Sequence, residues 1–143
     1  MYVYLRGVLD DGSLRAASVP RDTATTVSLE RYADATLVLE VHRNNGVPVD
    51  LRAARDFTAP TFRLAFGESV LGCVGTAVIA SYMGTVDTGR GKNFLTFTIP
   101  AADYKTKLLK DRYFFEIVLI SGVARYKLLA PSVALIRPGL ILP

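Results

Sequence analysis

Residues 35–42 read ATLVLEVH, and this short stretch decides the fold class. Its apolar side chains Ala35, Leu37, Leu39 and Val41 alternate with the others, and successive side chains of a β-strand point to opposite faces. An amphipathic helix would instead place apolar residues at intervals of three and four. The stretch therefore predicts a strand with one buried face. His42, on the other face, is expected to be a solvated surface imidazole.

The same alternation continues outward from this strand along the chain. Asn44-Asn45-Gly46 predicts a turn, after which residues 47–51 are expected to pair back. Further strands are predicted over 1–9, 13–19, 23–30, 61–66, 94–99, 113–120, 124–129 and 132–136, with one or two more in 70–83. Residues 100–109 predict one short helix, entered through Pro100.

Many short strands at hairpin spacing are typical of an antiparallel β-sandwich. The sequence thus predicts an all-β fold, Ig-like or jelly-roll, with one short helix. Its 143 residues suit one domain, 1–143. Within it, residues 1–22 are expected to form an N-terminal hairpin or arm and residues 138–143 a C-terminal tail.

Composition excludes several functions. The chain has one cysteine, Cys73, and one histidine, so it forms neither an intrachain disulfide nor a zinc site built from several Cys or His residues. Seventeen Lys and Arg against 13 Asp and Glu give a net charge of +4 without a basic run, which does not favour nucleic acid as a partner. Residues 69–86 lack charges but contain three glycines, so strands are predicted there and not a membrane span.

No motif predicts catalysis, a metal or a cofactor. The sequence Gly91-Lys92-Asn93 does not match a phosphate loop, which requires Ser or Thr after the lysine. Cys73 and His42 could form a nucleophile and base only if the fold brought them together. The N-terminal residues lack the pattern of a signal peptide, which predicts an intracellular protein when made.

Five short segments in order resemble a β-sandwich module of tailed-phage virions, including the N-terminal domain of baseplate upper proteins. They are DATLVLEV at 34–41, NGVPVDL at 45–51, FRL at 62–64, FTIPAAD at 97–103 and YFFEI at 113–117. The resemblance implies a non-enzymatic structural protein located in the virion and assembled in the host cytoplasm. A compact, separate sandwich is most similar to a capsid cement or decoration protein. A tail or baseplate adaptor and a ligand- or carbohydrate-binding module remain as alternatives.

The implied partners are the major capsid protein or other virion proteins, in a homo-oligomer or multi-copy assembly, with no nucleic acid and no membrane. Exposed strand edges, mobile loops and apolar tails suit such contacts, because an open edge can receive a strand from another chain. The predicted contact residues are Tyr2, Val3, Tyr4, Gly89, Arg90, Gly91, Lys92, Leu140, Ile141 and Leu142.

Overall fold

A computed structural model describes residues 1–9, 24–43, 45–52, 59–69, 78–129 and 131–138. These residues form ten strands and one helical turn. In chain order they are β1 (Tyr2–Leu9), β2 (Thr26–Glu30), β3 (Ala35–Arg43), β4 (Thr61–Gly67), β5 (Ala80–Met83), β6 (Thr85–Val86), β7 (Phe94–Ile99), α1 (Asp103–Thr106), β8 (Arg112–Ser121), β9 (Ala124–Lys127) and β10 (Ser132–Arg137).

The strands form two sheets packed face to face, which confirms the predicted all-β sandwich with one short helix. One sheet has the order β1-β3-β7-β6, and the other has the order β2-β10-β8-β4-β5, with β9 pairing to β8. The sheets are mixed, because β1 pairs with β3 and β2 pairs with β10 in parallel. Parallel neighbours need a long crossover and not a tight turn. Turn residues in a sequence predict antiparallel hairpins, so they could not predict these two parallel pairs.

The core lies between the sheets and is built from alternate residues of each strand. Leu37, Leu39 and Val41 are fully buried on β3, as the sequence predicts. Phe66 of β4 packs edge-on against Tyr113 of β8, with ring centroids 6.5 Å apart. The long strand β8 lies between β4 and β10, in the central position expected for it.

The helix is shorter than the predicted 100–109. It is a single turn, α1, after which the backbone leaves helical geometry at Lys107. The turn buries Tyr104, and the chain that follows it buries Leu108. Burying both apolar side chains against the sandwich decides the path of this segment. The lysines at 105, 107 and 110 are exposed, as expected.

Residues 47–51 pair back on the end of β3, as predicted, through one isolated bridge between Pro48 and His42. The Arg43 N–H donates to the Val47 carbonyl and the Val49 N–H donates to the Val41 carbonyl, so Pro48 lies where its own backbone nitrogen is not needed for the pairing. The prediction for His42 is wrong. His42 is buried, with 8% of its surface exposed, and is not a solvated imidazole. Its Nε2 lies 3.3 Å from Glu40 Oε1.

Some predictions fall outside the described residues. They concern the strand over 13–19, the part of 70–83 before residue 78, Cys73, and all of the tail beyond residue 138. Within the described ranges, no helix is long and apolar enough to span a bilayer.

Candidate interaction surface

The first half of β1 presents two tyrosines on the outer face of its sheet. Alternation places Tyr2 and Tyr4 on the same side, and they are 62% and 63% exposed. Their rings are stacked, with centroids 6.3 Å apart and planes inclined by 19°. Two large aromatic side chains therefore form one continuous solvent-facing surface.

A cation from a distant turn lies over this pair. The Asp87 carbonyl accepts hydrogen bonds from the N–H groups of Arg90 and Gly91, which closes a tight turn between β6 and β7. The turn directs the Arg90 guanidinium carbon to 5.4 Å from the Tyr4 ring centroid and 5.9 Å from that of Tyr2. Arg90 Nε also lies 3.1 Å from Asp87 Oδ2, which fixes the side chain from behind.

Glycine is required at one position of this turn. Gly91 has a φ of 153°, a conformation that other residues rarely adopt. A Cβ there would also lie 3.2 Å from Asn93 Oδ1 and from Phe94 Cδ2. The glycine therefore allows the chain to turn back close to β7 and to hold Arg90 over the sheet.

Arg90 keeps its charge in this setting. A hydrogen-bonding interaction with Tyr4 raises the pKa of Arg90, partial burial lowers it, and the charge of Asp87 adds to the rise. A charged guanidinium above aromatic rings is a favourable cation–π arrangement that contributes roughly 0.5–1 kcal/mol at an exposed site. We call Tyr2, Tyr4 and Arg90 the aromatic–arginine surface.

The structure thus brings together residues from two of the three predicted contact segments. Val3 does not belong to this surface, because it lies on the opposite face of β1, partly buried against the core. Lys92 is exposed, and its carbonyl accepts the N–H of Leu51. Leu140, Ile141 and Leu142 lie outside the described residues.

Lys92 belongs to a second group of charges, next to Asp50 and Arg52. Partial desolvation raises the pKa of Asp50, but hydrogen bonds from the Arg52 backbone and guanidinium, with the charges of Arg52 and Lys92, lower it overall. The two cations of the predicted loop 89–92 therefore have different neighbours. Arg90 lies over the tyrosines, and Lys92 lies near Asp50.

One backbone edge of β1 does not pair with β3. The Thr36 N–H donates to the Met1 carbonyl, and the Val8 N–H donates away from β3 to the Leu128 carbonyl, 3.0 Å away. The backbone N–H and C=O groups of the odd residues of β1 therefore point toward β3, and those of the even residues point away from it. Within the described part of the chain, the backbone groups of Tyr2, Tyr4 and Arg6 pair with no other strand. Only the unpredicted parallel pairing with β3 makes this edge apparent.

The described residues hold a small concavity on the other sheet. It encloses only about 10 Å³, far below the ~300–1,000 Å³ typical of ligand pockets. Its lining residues are Phe114, Phe115, Glu116, Lys127, Leu129 and Pro131. Lys127 Nζ lies 3.5 Å from Glu116 Oε2. No group of three His, Cys, Asp or Glu side chains in the described ranges could hold a metal ion.

Comparisons with known proteins find likenesses among solved structures only. No protein-family model matches the sequence, and no curated protein matches it. Among solved structures, the chain is similar to the "N-terminal domain of phage TP901-1 ORF48", with 7% sequence identity and a TM-score of 0.44. The match covers 96% of this chain and 99% of that one. At this distance the likeness defines neither a family nor a function for the chain.

Proposed function

We propose that this protein is a non-enzymatic structural component of a tailed-phage virion, and specifically a capsid cement protein that bridges neighbouring capsid subunits. The observation that carries the proposal is the aromatic–arginine surface, where Tyr2, Tyr4 and Arg90 meet on the outer face of a rigid sandwich. Five segments, the first at 34–41 and the last at 113–117, resemble phage virion sandwiches, and this resemblance is why we propose a virion as the location.

The chemistry of this surface suits protein contact. Tyr and Arg are enriched where interfaces gain most of their energy, because both combine a large apolar area with hydrogen-bond donors. Tyr2 and Tyr4 are attached to a strand paired along its whole length, so little conformational freedom remains to be lost when they are covered.

Bridging would strengthen a shell without strong individual contacts. A protein that holds two neighbouring subunits makes its second contact effectively intramolecular, which raises avidity by orders of magnitude. We assign the second contact to Lys92, Asp50 and Arg52, a group of charges in which Arg52 Nε lies 3.4 Å from Asp50 Oδ1. On this proposal one region contacts each neighbour.

The test is attachment of the purified chain to virions from which it has been removed. Arg90→Glu combined with Lys92→Glu should abolish co-sedimentation with the particles, because it reverses one cation in each region. The matched control is Arg112→Glu, which reverses an arginine that lies 5.2 Å from the Phe114 ring on the other sheet. The control should attach like the wild type, and circular dichroism should show that all variants are folded.

Copy number separates the cement protein from the tail or baseplate adaptor. Quantitative mass spectrometry of intact particles should find copies in proportion to the capsid protein. A number matching a tail ring would support the adaptor. Attachment unaffected by the double reversal would remove both charged regions from the proposal, and absence from virions would refute it.

A further inference from the structure

We propose that the protein forms a two-fold symmetric dimer in which the β1 edges of two copies pair antiparallel, joining their smaller sheets into one continuous sheet. The edge of β1 that no other described residue pairs with, and the side chains on the two faces of this strand, carry this inference. It is independent of the attachment of the chain to any particle.

The open edge is limited to a short window. The Leu128 carbonyl accepts the N–H of Val8 and closes the edge there. The outward backbone groups available in the described chain are therefore those of Tyr2, Tyr4 and Arg6. An exposed edge strand of this kind is a ready template for pairing with another chain, unless a proline, a bulge or a cover blocks it. This window contains neither a proline nor a glycine.

One register uses the whole window. When Tyr4 faces Tyr4 of the second copy, Tyr2 faces Arg6 at both ends. In antiparallel sheets such outward-facing residues form pairs that exchange two N–H···O bonds each. A shift toward Val8 would place Tyr2 opposite a position already taken by Leu128, and the reverse shift would leave Arg6 unpaired. The antiparallel centre at Tyr4 is the register that satisfies all three residues.

The side chains agree with this register on both faces. On the outer face, each Arg6 would lie beside a Tyr2 ring of the second copy, a cation–aromatic pair, and the two Tyr4 rings would be neighbours. On the inner face, Val3 would lie opposite Leu5. Val3 is partly exposed at the rim of the core, so the same pairing would cover apolar surface. An isologous contact needs such self-complementarity.

The test measures the mass of the full-length protein by sedimentation velocity from low micromolar to near-millimolar concentration. We expect a reversible dimer of twice 15.6 kDa. Arg6→Pro removes an outward N–H that β3 does not use, so it should leave the fold intact and weaken the dimer at least about tenfold, or 1.4 kcal/mol. Because Arg6 is outside the aromatic–arginine surface, this variant should still attach to particles.

The matched control is Ser28→Pro. Ser28 is exposed on β2, the edge strand of the other sheet, and its N–H also points away from its neighbour. This variant should dimerise like the wild type. Should Arg6→Pro not fold, Arg6→Ala serves instead, because it removes the cation beside the opposite Tyr2 ring and introduces no new charge.

Hydrogen exchange checks the register. The amides of Tyr4 and Arg6 should exchange more slowly at high concentration, and the amide of Ser28 should not change. A wild type that stays monomeric throughout, or a dimer unaffected by both Arg6 variants, overturns the inference. A monomer whose β1 amides become protected only on virions would show that another protein occupies the edge, and it would leave the proposed virion function standing.

Discussion

The two edge strands β1 and β2 share a backbone arrangement and differ in what they show to solvent. Among the described strands, each is the outermost of its sheet and pairs in parallel with one neighbour. The outward positions of β1 are Tyr2, Tyr4 and Arg6, whereas those of β2 are Thr26, Ser28 and Glu30. β1 has eight residues and β2 has five. Short, polar edges resist pairing with other chains.

The comparison teaches that sheet position alone does not make a binding edge. Both strands bury leucine side chains in the same core, Leu5 and Leu9 from β1 and Leu29 from β2. What distinguishes β1 is its aromatic outer face with Arg90 held above it. The following experiments test whether β1 and β2 differ only in their solvent-facing residues.

The largest effect is expected from the core behind the two strands. Leu39 lies opposite Leu5 in the register of β1 and β3, and Ile117 belongs to the sheet of β2; both are fully buried. Leu39→Ala or Ile117→Ala should each lower the free energy of unfolding by about 2–5 kcal/mol, through lost burial and a cavity. Urea denaturation measures this. Val123→Ala, at a fully exposed position, is the control.

Similar losses at Leu39 and Ile117 would show that the two sheets are equally well packed. A negligible loss at either residue would mean that its strand is not part of the common core, and the comparison of the edges would then fail.

A smaller effect is expected where β1 meets the other sheet. A Cβ at Gly7 would lie 2.6 Å from the Leu128 carbonyl oxygen and 3.2 Å from Leu39 Cδ1. Gly7→Ala should therefore destabilise by about 1–3 kcal/mol, because the backbone must shift to remove the clash. Thermal unfolding measures the loss. Gly89→Ala is the matched control, since its nearest new contact is an ordinary 3.4 Å from Asp87 Oδ1.

Gly7→Ala also tests whether Leu128 closes the edge of β1 at Val8. If Leu128 moves away, the Val8 N–H loses its acceptor and the open window of β1 becomes longer. Hydrogen exchange at Val8 should then accelerate. Unchanged exchange together with unchanged stability would show that the close approach at Gly7 is not needed to close the edge.

How much of this could be predicted depends on whether a feature is local. The alternation of Leu37, Leu39 and Val41 fixed the buried face of β3, because a strand's side chains depend only on its own pleat. The aromatic pair could be named in advance for the same reason. Tyr2 and Tyr4 are two residues apart and share a face in any strand.

Features that depend on distant chain segments were missed. The parallel pairing of β1 with β3 joins two strands that are separated in the chain by β2. The placement of Arg90 over Tyr4 needs the turn at Asp87, the positive φ of Gly91 and the sheet order together. No pattern within a single strand or turn contains that information.

A pH experiment tests the burial of the Tyr104 phenol in α1. The phenol of Tyr104 has no hydrogen-bond partner in the described structure. Burial raises the pKa of Tyr104 to about 12; Arg31 lowers it, and Asp34 and Asp103 raise it. Below pH 10 both the folded and the unfolded chain keep this phenol neutral. As the pH rises from 10 to 12, the unfolded chain ionises first and the folded state loses stability.

Tyr104→Phe should remove that part of the alkaline loss, up to about 2 kcal/mol. At neutral pH it should be neutral or slightly stabilising, because it deletes an unpaired buried hydroxyl. Urea denaturation at pH 8 and at pH 11.5 measures both, with Tyr2→Phe at an exposed position as the control. Equal alkaline losses in the wild type and Tyr104→Phe would contradict the burial of an unpaired phenol.

The smallest effect concerns the contact that distinguishes β1. A double-mutant cycle of Arg90→Ala and Tyr4→Ala should give a coupling of about 0.5–1 kcal/mol, as for an exposed cation–π pair. The matched cycle of Arg112→Ala and Phe114→Ala measures the same chemistry on the other sheet, with the guanidinium 5.2 Å from the ring. Arg90 should couple at least as strongly, because Asp87 holds its guanidinium in place. A coupling near zero at Arg90, with a measurable one at Arg112, would mean that Arg90 is free to leave the tyrosines in solution. The aromatic face of β1 would then have no fixed cation, and only its two tyrosines and its greater length would distinguish it from β2.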